Sequence, residues 1–209
     1  MGKNPSKKPL SGMQRLLKSG GLNVGLNLKK AQEENYPIVW IDESAFYLLP
    51  ALVRTYAPKG VTPVIKAPCS YDHLSVISAM TPKGSLCLSV QEQPFTAETV
   101  VEFLRKLHRQ IKGKVLVIWD GAAIHRAQEI KNYLSKGAAK WLQLEKLPAY
   151  APDLNPDEGI WNYLKRVELA NTCSHNLNEL YLRLQDATRR LRRKPKVIQG
   201  CIAQAGLVI

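Results

Sequence analysis

Three carboxylates stand at the ends of three separate apolar segments of the chain. Asp42 closes the run Ile-Val-Trp-Ile, Asp120 closes Val-Leu-Val-Ile-Trp, and Glu158 follows Pro-Asp-Leu-Asn-Pro-Asp. A carboxylate at the tip of a buried strand is costly to desolvate unless water, a basic partner or a cation compensates its charge. In a strongly basic chain, a pair of divalent metal ions is the simplest counter-charge and a nucleic-acid phosphodiester the simplest substrate. The pattern therefore predicts metal-dependent phosphoryl transfer.

Each of these carboxylates also has a local structural explanation. Asp42 and Asp120 could form turns, because aspartate often ends strands and accepts hydrogen bonds from the next backbone N–H groups. Glu158 could complete a capping box with Asn155, with Pro156 at the first helical position. Asp157 is the neighbouring competitor for the catalytic role, but helical spacing aligns it with the apolar stripe while Glu158 lies about 100° away, at the margin of the stripe. We therefore select Glu158.

Several other side chains could contact a polyanion. His125 could touch a phosphate or orient a carboxylate, although a single His after a strand is more often structural. Trp161 and Tyr163 could stack on bases, but helical spacing favours a core position for Trp161. The candidate DNA contacts are His125, Arg126, Lys165, Arg166, Lys29 and Lys30.

The bulk composition is that of one basic domain. The chain has 209 residues, 45% of them hydrophobic, and a formal net charge of +13, which favours a polyanionic partner. Residues 1–30 contain no acid and residues 189–196 are nearly all basic. The apolar runs are too short to span a membrane and no secretory signal pattern is present, so we expect a cytoplasmic protein. The four cysteines form no CxxC pair, which argues against a zinc ribbon.

The order of predicted elements indicates an α/β fold. Residues 1–35 are expected to be a basic arm or linker, with a possible short helix at 13–17. Short apolar runs at 38–41, 52–56, 74–79 and 85–90 predict an antiparallel meander. Thr96 is a predicted N-cap, Val115–Trp119 a buried strand, and further helices are expected at 127–135, 157–170 and 176–193, with a strand at 141–147. This order predicts a mixed sheet flanked by helices, with Asp42 and Asp120 at one edge if their strands are neighbours.

Three segments together resemble a known family. They are residues 40–44 (Trp-Ile-Asp-Glu-Ser), residues 119–126 (Trp-Asp-Gly-Ala-Ala-Ile-His-Arg) and residues 148–161, which end in Pro-Asp-Glu-Gly-Ile-Trp. Over residues 37–205 the chain resembles the catalytic domain of Tc1/mariner-like transposases, specifically the bacterial IS630 branch. Glu158 lies 38 positions after Asp120, and three such segments in this order are specific.

The resemblance implies an RNase H-like fold over residues 36–209 and a DDE triad of Asp42, Asp120 and Glu158 as metal ligands. It implies two Mg²⁺ or Mn²⁺ ions, hydrolysis at transposon ends, and attack of the freed 3′-OH on target DNA. The implied partner is double-stranded DNA, with a homodimer assembled on it and a nucleoid location when bound.

One feature departs from the family pattern. Its members usually carry paired helix-turn-helix modules ahead of the catalytic domain, whereas only about 35 residues precede it here. We therefore expect a fragment, a truncated copy or one frame of a split element, with a possible separate helix-turn-helix subunit. Two alternatives remain: a catalytically idle remnant that only binds DNA or a partner subunit, and an RNase H-like nuclease without strand transfer.

Overall fold

A single mixed sheet carries the fold. The computed structural model describes residues 22–66, 70–148 and 152–206. The strands are β1 (Ile38–Tyr47), β2 (His73–Met80), β3 (Leu86–Gln91), β4 (Val115–Trp119) and β5 (Leu142–Lys146). The helices are α1 (Leu22–Glu33), α2 (Ala97–Gln110), α3 (Gln128–Ser135), α4 (Asp157–Tyr163), α5 (Leu177–Arg192) and α6 (Pro195–Gln204).

The strand order within the sheet is β3-β2-β1-β4-β5. β1 pairs antiparallel with β2, and β2 with β3, which confirms three of the four strands of the predicted meander, whereas β1 with β4 and β4 with β5 pair parallel. The predicted α/β class is confirmed, and β1, which contains Asp42, lies directly beside β4, which ends just before Asp120. The prediction that the first strand ends at Asp42 is wrong, because β1 continues to Tyr47 in its pairing with β2.

Alternate residues of the central strands face two different hydrophobic layers. Trp40 and Ile118 pack with α1, α4, α5 and α6, while Ile41 and Val117 pack with α2 and α3 on the opposite face. All five residues of β4 are buried. Helices on both faces explain why this strand has a continuous apolar sequence rather than an alternating one.

Thr96 caps the start of α2, as predicted. Its backbone N–H donates to Thr99 Oγ1, and the Thr99 N–H donates back to Thr96 Oγ1. The helix ends at Gln110, and Gly113 follows with a φ of +88°, a left-handed conformation that favours glycine. This turn lets the chain reverse into β4.

Two predictions about chain organisation are wrong. Residues 52–56 form no strand, and Leu52 and Tyr56 are exposed, because no neighbouring strand offers them a ladder. Residues 22–33, expected within an arm or linker, form α1, whose Val24, Leu28 and Ala31 are buried in the core. The predicted short helix at 13–17 lies outside the described residues.

Two further findings concern the C-terminal part of the fold. The helix predicted at 157–170 is α4 continued by a π-helical turn at Leu164–Glu168, and α6 follows α5 as a separate helix that begins with Pro195. Within the described ranges, no helix has the length and apolarity needed to cross a bilayer.

Candidate active site

Asp42 and Asp120 occupy equivalent positions on neighbouring parallel strands. Trp40 of β1 pairs with Ile118 of β4, and each carboxylate lies two residues further along its strand direction. Adjacent strands are about 4.8 Å apart, so the two side chains start from adjacent points at the same edge of the sheet. Their side chains belong to the same face by strand alternation, the face on which α4 packs.

Helix α4 brings the third carboxylate to this edge. Trp161 is 3% exposed, as predicted for a core residue, and its Nε1 donates a hydrogen bond of 2.7 Å to Asp42 Oδ2. This bond fixes α4 against the middle of β1. Glu158 is exposed on the first turn of α4, at the sheet edge that carries Asp42.

Asp157 points into the protein, as its helical position predicted. It is fully buried, and Ser78 Oγ donates a hydrogen bond to its Oδ1. Its Oδ2 is buried without a hydrogen-bond partner in the described residues, and burial raises the pKa of this carboxyl well above its usual value. Asn155 Oδ1 accepts from the Asp157 backbone N–H at 3.2 Å, in a turn just before the helix, and Pro156 is the N-cap. The capping box considered for Asn155 and Glu158 is not formed, and the Glu158 side chain is exposed.

The carboxylates at this edge influence each other electrostatically. The pKa of Asp42 is raised to about 7, mainly by burial and also by the negative charges of Glu43, Glu158 and Asp120, while the Trp161 hydrogen bond acts in the opposite direction. A carboxyl whose pKa is raised by burial and by neighbouring negative charges is one that a nearby cation would ionise. The edge therefore has the electrostatics of a cation site.

His125 links Glu43, in the middle of β1, to Asp120, just after β4. Its Nδ1 lies 2.9 Å from Asp120 Oδ1 and its Nε2 lies 3.0 Å from Glu43 Oε1, while its ring stacks on Trp119 at 4.2 Å. Only 1% of the side chain is exposed. Burial alone would lower the pKa of His125, but the hydrogen bonds to Asp120 and Glu43 outweigh it and raise the pKa to about 9. The same contact holds the pKa of Asp120 below its usual value.

These contacts distinguish between the two roles considered for His125. Both ring nitrogens already face carboxylate oxygens, and the buried ring leaves no surface for a phosphate in this arrangement. The Ala122 N–H also donates to Asp120 Oδ1, at 2.8 Å. Two donors thus hold one oxygen of Asp120, which fits the role of orienting a carboxylate rather than contacting DNA.

Lys165 lies beside the same edge. Its Nζ donates to Ser44 Oγ at 2.8 Å and stands 5.0 Å from the centre of the Phe46 ring. Burial lowers the pKa of Lys165, whereas the negative charges of Glu158 and Asp42 act in the opposite direction. The π-helical turn that follows α4 carries this ammonium group toward the carboxylates, and such turns are frequent at functional sites.

The other predicted DNA contacts lie on the surface. Arg126 directly follows His125, and Arg166 follows Lys165; both are exposed. Lys29 and Lys30 lie on α1, 3.8 Å from Glu33 and 3.7 Å from Glu34 respectively. Arg126 and Arg166 are thus sequence neighbours of His125 and Lys165, whereas the two lysines of α1 pair with Glu33 at the end of the helix and with Glu34 just beyond it.

The donor set at the edge suits a hard divalent cation. Carboxylate oxygens are the ligands that Mg²⁺ and Mn²⁺ prefer, and Asp42, Asp120 and Glu158 supply three carboxylates with mutual repulsion for a cation to relieve. Among the described residues, no three Asp, Glu, His or Cys side chains are grouped closely enough to hold an ion as they stand. One reason is visible, since Asp120 Oδ1 is turned to His125.

Sequence reasoning missed the residues that support the triad. Glu43 belongs to the segment Trp-Ile-Asp-Glu-Ser but is not among the predicted site residues, although it is the second partner of His125. Neither Ser78 nor the hydrogen bond from Trp161 to Asp42 is predicted from the sequence. The position of Glu43 directly after Asp42 is its available signal, whereas nothing local marks a partner more than 75 positions away.

Comparison with known proteins agrees with this geometry. The family model described as DDE superfamily endonuclease matches residues 37–181. No curated protein matches the sequence. Among solved structures, the fold is similar to the catalytic domain of Mos1 mariner transposase, with a TM-score of 0.54 and 16% identity over 98% of each chain.

Two complexes of the same transposase are also similar. The Mos1 mariner paired-end complex with Mn gives a TM-score of 0.61 at 16% identity, covering 100% of this chain and 69% of that one. The Mos1 paired-end complex with left transposon end gives 0.59 at 18% identity, covering 99% and 66%. This chain therefore spans about two thirds of the length of the protein in those complexes. At such identities the likeness establishes a shared fold, the RNase H-like one predicted from the sequence.

Proposed function

Because the chain belongs to the DDE superfamily of endonucleases, we propose that it is the catalytic domain of a Tc1/mariner-type transposase, of the IS630 branch, that cleaves DNA at transposon ends and transfers the strand to a target. The observation that carries this proposal is the in-register placement of Asp42 and Asp120 at one sheet edge, with Glu158 held beside them by the Trp161–Asp42 hydrogen bond.

The endonuclease family implies use of a divalent metal, and the Mos1 complexes were solved with Mn and with Mg. We propose Mg²⁺ or Mn²⁺, two ions, with Asp42, Asp120 and Glu158 as the ligands. Such ions supply Lewis-acid stabilisation of charge on the attacking and leaving oxygens of a phosphodiester, so no protein nucleophile is needed.

The side chains around the triad have distinct tasks in this proposal. His125 holds Oδ1 of Asp120, which leaves the second oxygen free to bind a metal ion. Trp161 holds Oδ2 of Asp42 in the same way. Lys165 contacts a phosphate oxygen near the reacting bond, because its ammonium group donates to Ser44 Oγ, two residues beyond Asp42, and interacts electrostatically with Glu158 and Asp42.

Double-stranded DNA is the proposed substrate. The net charge of +13 favours a polyanion, and the Mos1 structures include a strand transfer complex and complexes with a transposon end. Arg126 and Arg166, exposed next to His125 and Lys165, are proposed backbone contacts; Lys29 and Lys30 add attraction from α1. A homodimer on DNA and a separate helix-turn-helix subunit for end recognition belong to the same proposal.

A nicking assay on supercoiled DNA tests the proposal. We expect cleavage in Mn²⁺ or Mg²⁺ that is abolished by chelation, by Asp120→Asn and by Glu158→Gln. Glu129→Gln, which neutralises an exposed carboxylate on the neighbouring helix α3, is the matched control and should cleave normally.

The product pattern separates the alternatives. Joining of a labelled oligonucleotide 3′-OH to plasmid supports the transposase. Cleavage without joining would identify a nuclease, and DNA binding without metal-dependent cleavage by the folded chain would identify an idle remnant. Either result would overturn the proposed function.

A further inference from the structure

A polar groove of about 480 Å³ runs along the outer edge of the sheet, away from the carboxylates. Its floor is strand β3, one wall is α2 and the other wall is α5. The walls contribute three cations and four neutral polar side chains, and none of the lining residues is acidic. The wall residues are Lys106 and Gln110 of α2, and Tyr181, Gln185, Thr188, Arg189 and Arg192 of α5.

The floor of the groove presents unpaired backbone groups. In the described residues β3 pairs with β2 alone. The Leu86 carbonyl points outward, because it accepts a hydrogen bond of 2.9 Å from Arg192 Nε. Peptide groups alternate in direction along a strand, so the N–H groups of Leu88 and Val90 point outward too. Two backbone donors therefore face the groove.

The walls carry a net positive charge. Lys106 extends from α2, and Arg189 and Arg192 extend from α5. The carboxylate in contact with this set is Asp186, whose Oδ1 lies 2.6 Å from Arg189 Nη1. Three cations against one neighbouring anion leave an excess of two positive charges, together with hydroxyl and amide donors that suit phosphate oxygens.

Along the strand direction, the groove floor lies at the same position as Asp42. Asp42 pairs with Ser78 of β2, and Ser78 pairs with Leu88 of β3. The groove floor therefore lies two strand spacings from β1, about 10 Å across the sheet. A double helix is wider than this distance, so one duplex seated at the carboxylates can reach the groove.

We propose that the groove binds the phosphodiester backbone of the DNA a few nucleotides away from the reacting phosphate, as a second anchoring site. The inference rests on the proposed function, because it takes DNA as the substrate. An added peptide strand is less suited, since the side chains of Leu86 and Leu88 are already buried in the core and the walls offer long polar groups instead of side-chain pockets. A second copy of this chain pairing through β3 is less suited as well, because it would bring two sets of these cations together.

Charge-matched double variants test this inference on the full chain. Lys106→Gln with Arg189→Gln removes one groove cation from each wall. Arg109→Gln with Arg183→Gln removes the same charge from the same two helices, at residues that do not line the groove. Affinity for a 30-base-pair duplex of arbitrary sequence is measured without divalent metal across a range of salt concentrations. Each phosphate contact adds about 0.9 to the slope of log affinity against log salt.

We expect the groove variant to lower that slope by about two, and the control variant by less than one. A second readout uses Cys87, a half-buried free thiol in the groove floor. Bound duplex should slow its alkylation by N-ethylmaleimide at least fivefold in the wild type and in the control variant, and less in the groove variant.

Equal slopes for the two variants, or alkylation of Cys87 unaffected by saturating DNA, would overturn the inference even if the wild type nicks DNA normally. Binding of a fluorescein-labelled decaglutamate that depends on Lys106 and Arg189, with an unchanged DNA slope, would assign the groove to an acidic peptide and overturn it equally. If the groove variant lowers the salt slope of DNA binding but the wild type never cleaves DNA, the groove proposal stands and the proposed function is rejected. The failure of one proposal can therefore be distinguished from the failure of the other.

Discussion

Gly159 of α4 lies directly against Cys201 of α6. A Cβ atom on Gly159 would stand 2.8 Å from Cys201 Sγ and 2.9 Å from its Cβ, closer than such atoms approach in proteins. The residue next to it is Glu158, so this close packing sets how far the third carboxylate stands from the sheet edge. Position 159 therefore needs a glycine because there is no room for a Cβ atom beside Cys201, and not because of its backbone conformation.

Substituting Gly159→Ala should push α4 away from α6. Overpacking costs about 1–3 kcal/mol, against a gain of roughly 1 kcal/mol in helix propensity, so we expect a modestly lower free energy of unfolding and a larger loss of nicking activity. Gly200→Ala, in α6, is the matched control, because its Cβ would meet nothing within 4 Å. Urea unfolding and nicking rates check both variants; an active, stable Gly159→Ala protein would contradict this account.

The variant Trp161→Phe isolates the hydrogen bond to Asp42. Phenylalanine retains most of the buried ring but removes the Nε1 donor that lies 2.7 Å from Asp42 Oδ2. Loss of a group that orients a metal ligand typically weakens metal binding or activity by about 10–100-fold. The Mn²⁺ concentration for half-maximal nicking should therefore rise by at least tenfold. Trp141→Phe, on the opposite face of the sheet, should leave it unchanged.

The sequence predicted the positions of Asp42, Asp120 and Glu158 relative to the core better than it predicted the contacts around them. Helical spacing alone separated buried Asp157 from exposed Glu158, because a residue's angular position on a helix is a local property. The adjacency of β1 and β4 was an assumption, since the pairing of strands about 75 residues apart depends on tertiary packing. The His125–Glu43 contact has the same long-range origin.

The two errors in the fold have opposite causes. Helix α1 contains Gly and Asn, which have poor helix propensity, yet it buries Val24, Leu28 and Ala31 at i, i+4 and i+7 spacing. Tertiary packing overrides propensity there. Residues 52–56 have the β-branched and aromatic composition of a strand but lack a partner strand. Composition misleads here because the Val53 N–H and C=O bond to the Asn171 side chain and not to a strand.

Replacing His125 by phenylalanine should remove the side-chain contacts that link Glu43 of β1 to Asp120 after β4. The variant retains a ring that can stack on Trp119, but it removes both contacts to carboxylates and leaves Glu43 without its partner. We expect nicking to fall about 10–100-fold, together with weaker Mn²⁺ binding measured by electron paramagnetic resonance. Arg126→Ala, at the exposed neighbouring position, should not alter Mn²⁺ binding. Unchanged Mn²⁺ affinity in His125→Phe would show that the histidine does not orient Asp120.

Glu168 should make the stability of the protein depend on acid pH. Its side chain is 6% exposed, and its oxygens lie 2.6 Å from Arg190 Nε and 3.0 Å from Lys194 Nζ. Burial acts to raise the pKa of Glu168, but these two hydrogen bonds prevail and lower it below 4.5. The folded state therefore binds fewer protons than the unfolded state, so the stabilisation is present above pH 4.5 and is lost as the pH falls through the folded pKa. Glu168→Gln should cost about 1–2 kcal/mol at pH 7, because both partners are half exposed, and clearly less at pH 3.5 in urea unfolding. Glu179→Gln, which breaks an exposed pair with Arg183 four residues away, should cost no more than about 0.5 kcal/mol at pH 7; equal costs for the two variants would show that the buried position of Glu168 adds nothing.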